Sequence, residues 1–357
     1  MATIGVRPER QEPDSTVAES VKDYYGRVLA SSADLKTSAC CTDAVPAPHI
    51  AAALGAVHDE VMERFYGCGS PIPPALEGAT VLDLGCGSGR DVYVLSQLVG
   101  PTGRVIGIDM TEEQLAVARR HQDWHAKRFG HANTDFRHAC IEDLAAAGIP
   151  DVSVDLVVSN CVVNLSPDKP RVLAEIFRVL RPGGELYFSD IFADRRLPAA
   201  LLDDPVLVGE CLAGALYTED FRRVLEGTGC PDARTVADSP VTISDPGIRQ
   251  RIGFATFTSR TVRAFKLPLE DRCEDYGQVA VYHGTVAEYP HAFDLDDHHR
   301  FHTGKPKLVC GNTADMLSAT RYAPHFSVTG DKNRHFGLFP CGPGDSGPDA
   351  QASPGCC

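Results

Sequence analysis

The chain has 357 residues, 43% of them hydrophobic, which is ample for a large core, and a formal net charge of -14. That balance excludes a protein whose business is gripping phosphate backbones, because such binding rests on clustered Lys and Arg; no nucleic-acid partner is expected, and a small-molecule partner is. Residues 1–20 are polar and acidic and no run of about 18 apolar residues occurs, so neither a secretory leader nor a membrane span is predicted and the expected location is cytoplasmic.

In chain order, residues 17–29 and 49–65 have helical spacing, with the Pro-containing loop LKTSACCTDAVPAP (35–48) between them. Residues 79–84 read as a short strand, 85–89 as a glycine loop, 90–99 as a helix and 104–109 as a second strand. TEEQ (111–114) has the form of a capping box, and Gly130 is expected to close the helix it opens. Further strands fit 134–138, 154–159 and 184–192, with a helix over 169–180 that RPGG (181–184) stops and turns.

A Leu- and Asp-rich segment holding GECL (209–212) interrupts the rhythm after Asp194. A helix then fits 218–226, and strands at 233–243 and 254–267 complete the sheet. The alternation predicts an α/β fold, a mainly parallel doubly wound sheet with helices on both faces. Residues 268–341 read as a smaller mixed α+β region, and the Gly-, Pro- and Ser-rich tail 342–357 as disordered. No internal repeat is present, and no stripe predicts a dimer, so a monomer is expected.

The strongest chemical motif is VLDLGCGSGR (81–90), which follows the first strand. Gly85, Gly87 and Gly89 let the backbone approach a ligand where side chains would collide with it. The spacing is GxGxG; a dinucleotide fingerprint would be GxGxxG, and Arg90 stands at its third glycine. Asp109, at the end of the second strand, is placed to accept hydrogen bonds from two ribose hydroxyls. Together, the Asp83-Leu84-Gly85 entry and the Asp109 exit resemble the S-adenosylmethionine site of class I methyltransferases, a Rossmann-like fold, and RPGGELYFSD (181–190) resembles a later strand of that superfamily.

The chain carries 13 cysteines and no CxxC pair, so no zinc framework is predicted. In an open parallel sheet the ligand crevice lies beyond the carboxyl ends of the strands. Cys161, in SNCVVN just past the fourth strand, is therefore expected to face the reactive end of the cofactor, a position that core packing does not require. Soft thiolates select soft centres, and trivalent arsenic bound by thiolates keeps a lone pair able to attack a sulfonium methyl carbon in line. Cys86, Cys140 and Cys230 are expected to be packing residues. His298 and His302 stand at the i, i+4 spacing of a metal-binding helix face, but a solvated surface is the expected reading. Glu210, beside Cys211, reads either as a group that orients a thiol or as an exposed carboxylate.

The whole set, YYGRVL, LKTSACCT, HDEVMERFYGCG, VLDLGCGSGRDVYVLSQLVG, GIDMTEEQLAVA, VVSNCVVNLSPDK, GGELYFSDIF and GECLAGALY, resembles the arsenite S-adenosylmethionine methyltransferases up to about Leu267. The resemblance implies methylation of trivalent arsenic, as arsenite and methylarsenite, with thioredoxin or glutathione restoring the trivalent state and detoxification as the outcome. It also implies that the arsenic thiolates are Cys161 and Cys211, with Cys68 as the third, and that a first-loop cysteine, Cys40 or Cys41, pairs transiently with Cys68. For the cofactor it implies Asp83, Gly85, Gly87, Gly89 and Arg90 at the methionine moiety, Asp109 and Met110 at the ribose, Ile141 and Glu142 over the adenine, and Tyr66 and Gly67 closing the site. Residues 1–70 would then cap the site, 71–267 bind the cofactor with an arsenic-binding segment at about 195–230, and 268–341 form a small C-terminal domain. The competing expectation is a class I methyltransferase acting on another small-molecule or protein thiol.

Overall fold

A computed structural model describes residues 46–65, 67, 71–209 and 211–341. The expected helix 17–29, the tail 342–357 and the site candidates Cys40, Cys41, Tyr66 and Cys68 lie outside the described residues.

Eight strands make one sheet: β1 (Thr80–Leu84), β2 (Arg104–Asp109), β3 (Thr134–His138), β4 (Val154–Asn160), β5 (Leu180–Ala193), the short β6 (Leu216–Tyr217), β7 (Ala233–Pro240) and β8 (Phe257–Phe265). Their order is β3-β2-β1-β4-β5-β8-β7, with β6 paired to β5. From β3 to β5 every pair is parallel, while β8 runs antiparallel to β5 and β7 antiparallel to β8. β1 therefore stands between β2 and β4, where the order reverses and a crevice must open beyond the strand ends.

The period-2 side-chain alternation sorts β1 and β4 onto two cores. Leu82, Leu84 and Val157 pack on one face with Val172, Leu173, Ile176 and Phe177 of the helix Lys169–Val179. Val81, Leu156 and Val158 pack on the other with Val92 and Leu95 of the helix Arg90–Val99. The helix Lys169–Val179 starts where Asp168 accepts the amide proton of Arg171 at 3.0 Å and Pro170 occupies its first turn, where a missing N–H costs nothing.

The helical pattern over 49–65 is broken into two short helices, Pro48–Leu54 and Asp59–Glu63, because the chain turns at Gly55 and restarts with the His58 ring capping the amide of Glu60. The segment after β2 likewise forms two helices, Glu112–Arg120 and Gln122–Phe129, and Gly130 closes the second in left-handed geometry. The capping box does not form: Thr111 makes no side-chain cap, and its amide donates to Asp109 at 2.7 Å. RPGG lies within β5, where a register shift opposite Val154 and Leu156 absorbs it.

The C-terminal region has its own antiparallel sheet, with Gln278–Tyr282 between Pro306–Val309 and Phe326–Thr329 and the helix Gly311–Ser318 beside it. Arg263 of the main sheet and Arg321 of the C-terminal region join the two through Glu185 of β5. Arg263 of β8, buried, pairs with Glu185 at 2.6 Å and donates to the Tyr322 hydroxyl at 2.5 Å and to the Leu295 carbonyl. Arg321 holds the other Glu185 oxygen at 2.5 Å, so that buried carboxylate is matched from both sides.

Candidate active site

A cavity of about 370 Å³ opens at the reversal between β1 and β4. The loop after β1 forms one wall. Gly85, Gly87 and Gly89 hold φ of 70°, 51° and 90°, a region that glycine enters at no steric cost. A β-carbon on Gly85 would lie 2.8 Å from that of Val162 and nearer still to its methyls, while one on Gly87 would meet nothing within 4 Å among the described residues. Glycine is thus needed for close packing at the first position and for backbone conformation at the second.

Five acids line the cavity, and three of them, Asp83, Asp91 and Asp109, stand at or beside the glycine loop and the ends of β1 and β2. Asp109 accepts the Gly87 amide at 2.8 Å on one oxygen and the Thr111 amide at 2.7 Å on the other, which fastens the glycine loop to the end of β2. Burial raises its pKa, and these two amides oppose the rise. Asp83 is raised further, first by burial and then by the charges of Asp91 and Asp109. Among the described residues its buried Oδ2 has no hydrogen-bond partner. An acidic pocket with an orphaned carboxylate oxygen suits a cationic ligand carrying N–H donors, such as the ammonium group of S-adenosylmethionine.

Met110, Ile141 and Glu142 line the same cavity, as do Arg64 and Phe65. Ser88 Oγ donates to the Val61 carbonyl at 2.9 Å, seating the helix Asp59–Glu63 on the glycine loop. Gly89 and Arg90 stand back from the lining: the Arg90 guanidinium pairs with Asp91 at 2.7 Å and lies over the Phe65 ring, 3.0 Å from its centroid. Arg90 thus holds an acid of the cavity. Gly67 is buried, and a β-carbon there would stand 2.8 Å from the Asn160 amide.

Beyond β4 the cavity meets Cys161. The Cys211 thiol donates to the Cys161 carbonyl at 3.5 Å, and the two sulfurs and a carboxylate oxygen of Asp190 lie within 4.8 Å of one another, all three residues buried. Cys161 and Cys211 have φ of 57° and 59°, left-handed backbone that is costly for a side chain. Cys161 is in a disulfide whose other cysteine lies outside the described residues. Asp190 accepts the amides of Asn164 at 3.0 Å and Ile191 at 2.9 Å, yet burial lifts its pKa to about 7. Lys169 nearby is itself lowered by burial.

The sequence reading missed Asp190, Asp91 and Asn160; the one available signal was an acid inside the apolar run YFSDIF. Cys140 is exposed and lines the cavity, so it is not a packing residue, and Cys86 is buried but also lines it. Cys230 does pack in the core. The helical spacing of His298 and His302 is not realised: Arg300–His302 is a strand, His299 bonds Asp296 at 2.8 Å, and His298 bonds Asp297. Glu210 lies outside the described residues.

Residues 76–229 match the family described as "Methyltransferase domain", and residues 275–342 match "Arsenite methyltransferase C-terminal domain". The chain is 55% identical over 344 residues to an arsenite methyltransferase of Aquipseudomonas alcaligenes, covering 95% of this chain and 99% of that one. It is 43% identical over 321 residues to the arsenite methyltransferase of Homo sapiens, covering 88% and 84%. The crystal structure of CrArsM, an arsenic(III) S-adenosylmethionine methyltransferase from Chlamydomonas reinhardtii, superposes with a TM-score of 0.80 at 53% identity, over 83% of this chain and 100% of that one.

Proposed function

The chain belongs to the arsenite methyltransferase family and has its class I S-adenosylmethionine-dependent methyltransferase fold; from that premise we propose that it methylates trivalent arsenic held by its own cysteine sulfurs. The observation that carries this reading is the convergence of Cys161, Cys211 and Asp190 at the end of the cavity whose other wall is the glycine loop.

S-adenosylmethionine supplies an electrophilic methyl group on a sulfonium. Asp83, Gly87 and Asp109 would bind its polar ends, while Met110, Ile141 and Glu142 would take the adenosine portion. Arsenite, or methylarsenite delivered as a thiol conjugate, would exchange its oxygen or thiol ligands for Cys161 and Cys211. We assign Cys68 as the third sulfur on the family resemblance. Each new As–S bond releases a thiol proton, and Asp190, titrating near neutrality beside both sulfurs, is suited to accept it and return it to the departing hydroxide. The arsenic lone pair then attacks the methyl carbon, the C–S bond electrons return to sulfur, and arsenic rises from the trivalent to the pentavalent state. Positioning is the main task of the protein, and two cysteines fixed in strained backbone meet it.

Returning arsenic to the trivalent state needs two electrons, which protein thiols would supply and thioredoxin or glutathione would replace. The disulfide on Cys161 supports this part: a thiol reductant must open it before that sulfur can bind arsenic. Residues 1–70, with Cys40 or Cys41 as the exchanging thiol, would cap the site, and 195–230 would form its arsenic-binding segment. Among the described residues no helix is long and apolar enough to cross a membrane. We place the enzyme in the cytoplasm, as a monomer serving arsenic detoxification.

Incubation of the protein with arsenite, S-adenosylmethionine and a thiol reductant tests the reading. Methylated arsenicals separated by chromatography are the expected product. Methylation of the thiol alone, or arsenic bound without turnover, would overturn it.

A further inference from the structure

We propose that Cys273, Cys310 and Cys341 form a second site for trivalent arsenic, in the C-terminal region and built from none of the residues of the site above. The proposal takes from the proposed function only that trivalent arsenic reaches the protein. The three sulfurs lie within 4.8 Å of one another. Three sulfurs bound to one pyramidal ion at roughly 2.3 Å stand about 3.5 Å apart, so the cluster has to draw in by at most about 1.3 Å, which small side-chain rotations supply.

Three separate segments bring these thiols together. Cys273 precedes the short strand Glu274–Asp275, Cys310 is the N-cap of the helix Gly311–Ser318, and Cys341 follows the strand Gly337–Leu338. The Phe339 amide donates to the Cys273 carbonyl at 2.7 Å, and the Cys341 amide donates to the Phe339 carbonyl at 2.9 Å, which fixes the first and third relative to each other.

The surroundings are those of a sulfur kept ready to bind. A packing cysteine faces apolar side chains. Here the Thr313 amide reaches the Cys310 sulfur at 3.4 Å and the Thr313 hydroxyl at 3.2 Å. The Arg234 guanidinium, from β7, stands 4.0 Å from the Cys273 sulfur and 3.9 Å from that of Cys310. Arg234 is buried and held by Asp232 at 2.6 Å.

The donor count selects the ion. Structural zinc takes four ligands, and among the described residues this cluster offers three. The next charged group is a guanidinium, which repels a divalent cation. Trivalent arsenic takes three thiolates and keeps a lone pair in the fourth direction, giving a neutral adduct that a nearby cation does not disfavour. In forming it, As(OH)3 exchanges three As–O bonds for three As–S bonds, and each hydroxide leaves as water with one thiol proton. No oxidation state changes.

The test is arsenite stoichiometry on the full-length reduced protein without S-adenosylmethionine, by native mass spectrometry. Expected are two arsenic atoms on the wild type and one on the Cys161→Ser/Cys211→Ser double variant, the latter with three sulfur neighbours in its arsenic X-ray absorption spectrum. Adding Cys273→Ser, Cys310→Ser or Cys341→Ser to that double variant should remove the remaining atom. Circular dichroism checks folding, and the half-buried Cys341 gives a variant that disturbs packing least. A double variant that binds no arsenic, or binding that survives loss of all three C-terminal thiols, overturns the proposal. So does zinc chloride, in place of arsenite, yielding one retained zinc with the same cysteine dependence. Because no methyl donor is present, failure of the methylation reading leaves this result intact, and the reverse also holds.

Discussion

Gly85 and Val162 share one volume: a β-carbon on the glycine would press into the valine side chain, so the turn that ends β1 rests directly on the residue after Cys161. The glycine loop and the chain at Cys161 are therefore set by a single contact.

Gly85→Ala should push Val162 and its neighbour Cys161 away and add strain at a φ of 70°. A loss of about 1–3 kcal/mol in urea-unfolding stability is expected, with methylation falling more than donor affinity. Val162→Ala in the same chain should recover part of both. No recovery would mean that the contact does not matter.

Asp109→Ala removes the carboxylate that accepts the Gly87 and Thr111 amides. Hydrogen bonds to a charged group are worth about 1.5–3 kcal/mol, so calorimetry should record S-adenosylmethionine binding weakened roughly 10- to 100-fold. Unchanged affinity would remove Asp109 from the site.

Cys161→Ser and Cys211→Ser each take a soft ligand from the cluster. Arsenite methylation should drop by at least about a hundredfold in each, since small losses of positioning already cost that much. S-adenosylmethionine affinity, measured in parallel, should stay within about threefold, a shift of well under 1 kcal/mol. A serine variant that still turns over arsenite at the wild-type rate would mean the sulfurs are not the arsenic ligands.

Asp190 retains its proton to about pH 7 in the folded chain, whereas an ordinary aspartate releases it near 3.8. Between those values the unfolded chain binds fewer protons, so stability is fullest below the lower pKa and falls as pH rises through the upper one. Asp190→Asn should flatten that fall, by up to about 4 kcal/mol across the window, in urea titrations at successive pH values. Parallel pH profiles for the two proteins would contradict the assignment.

Arg263→Met leaves Glu185 with Arg321 as its remaining cation and strips donors from Tyr322 and Leu295. Breaking a buried pair from one side costs about 3–5 kcal/mol, and the surviving partner should hold the loss near the lower figure. Thermal unfolding followed by circular dichroism measures it.

The parts of the fold that local physics dictates were legible. The glycine loop, Asp109 and the helix Arg90–Val99 follow from positive φ, strand ends and period, and each lies where the sequence puts it. Cys161 and Cys211 were legible too, through their motifs, and the structure brings them together. Asp190 shows locally only as an acid inside an apolar run, which does not say what faces it; only the fold sets it beside two sulfurs. The long helix over 49–65 failed because His58 offers a new cap three residues after Gly55. RPGG reads as a stop in isolation, yet pairing of Leu180 with Val154 carries β5 through it. The C-terminal thiols escaped notice since long-range docking alone assembles them.

At Cys161 and Cys211 the backbone adopts a shape in which glycine is the most comfortable residue, and a side chain there costs on the order of 1 kcal/mol. A lineage screened only for robust folding would drift toward glycine at both positions and, on the function proposed above, come out hardier but inert. Retaining sulfur there means that heat tolerance and turnover pull in opposite directions, so a programme seeking a sturdier catalyst should look for its gains elsewhere in the chain.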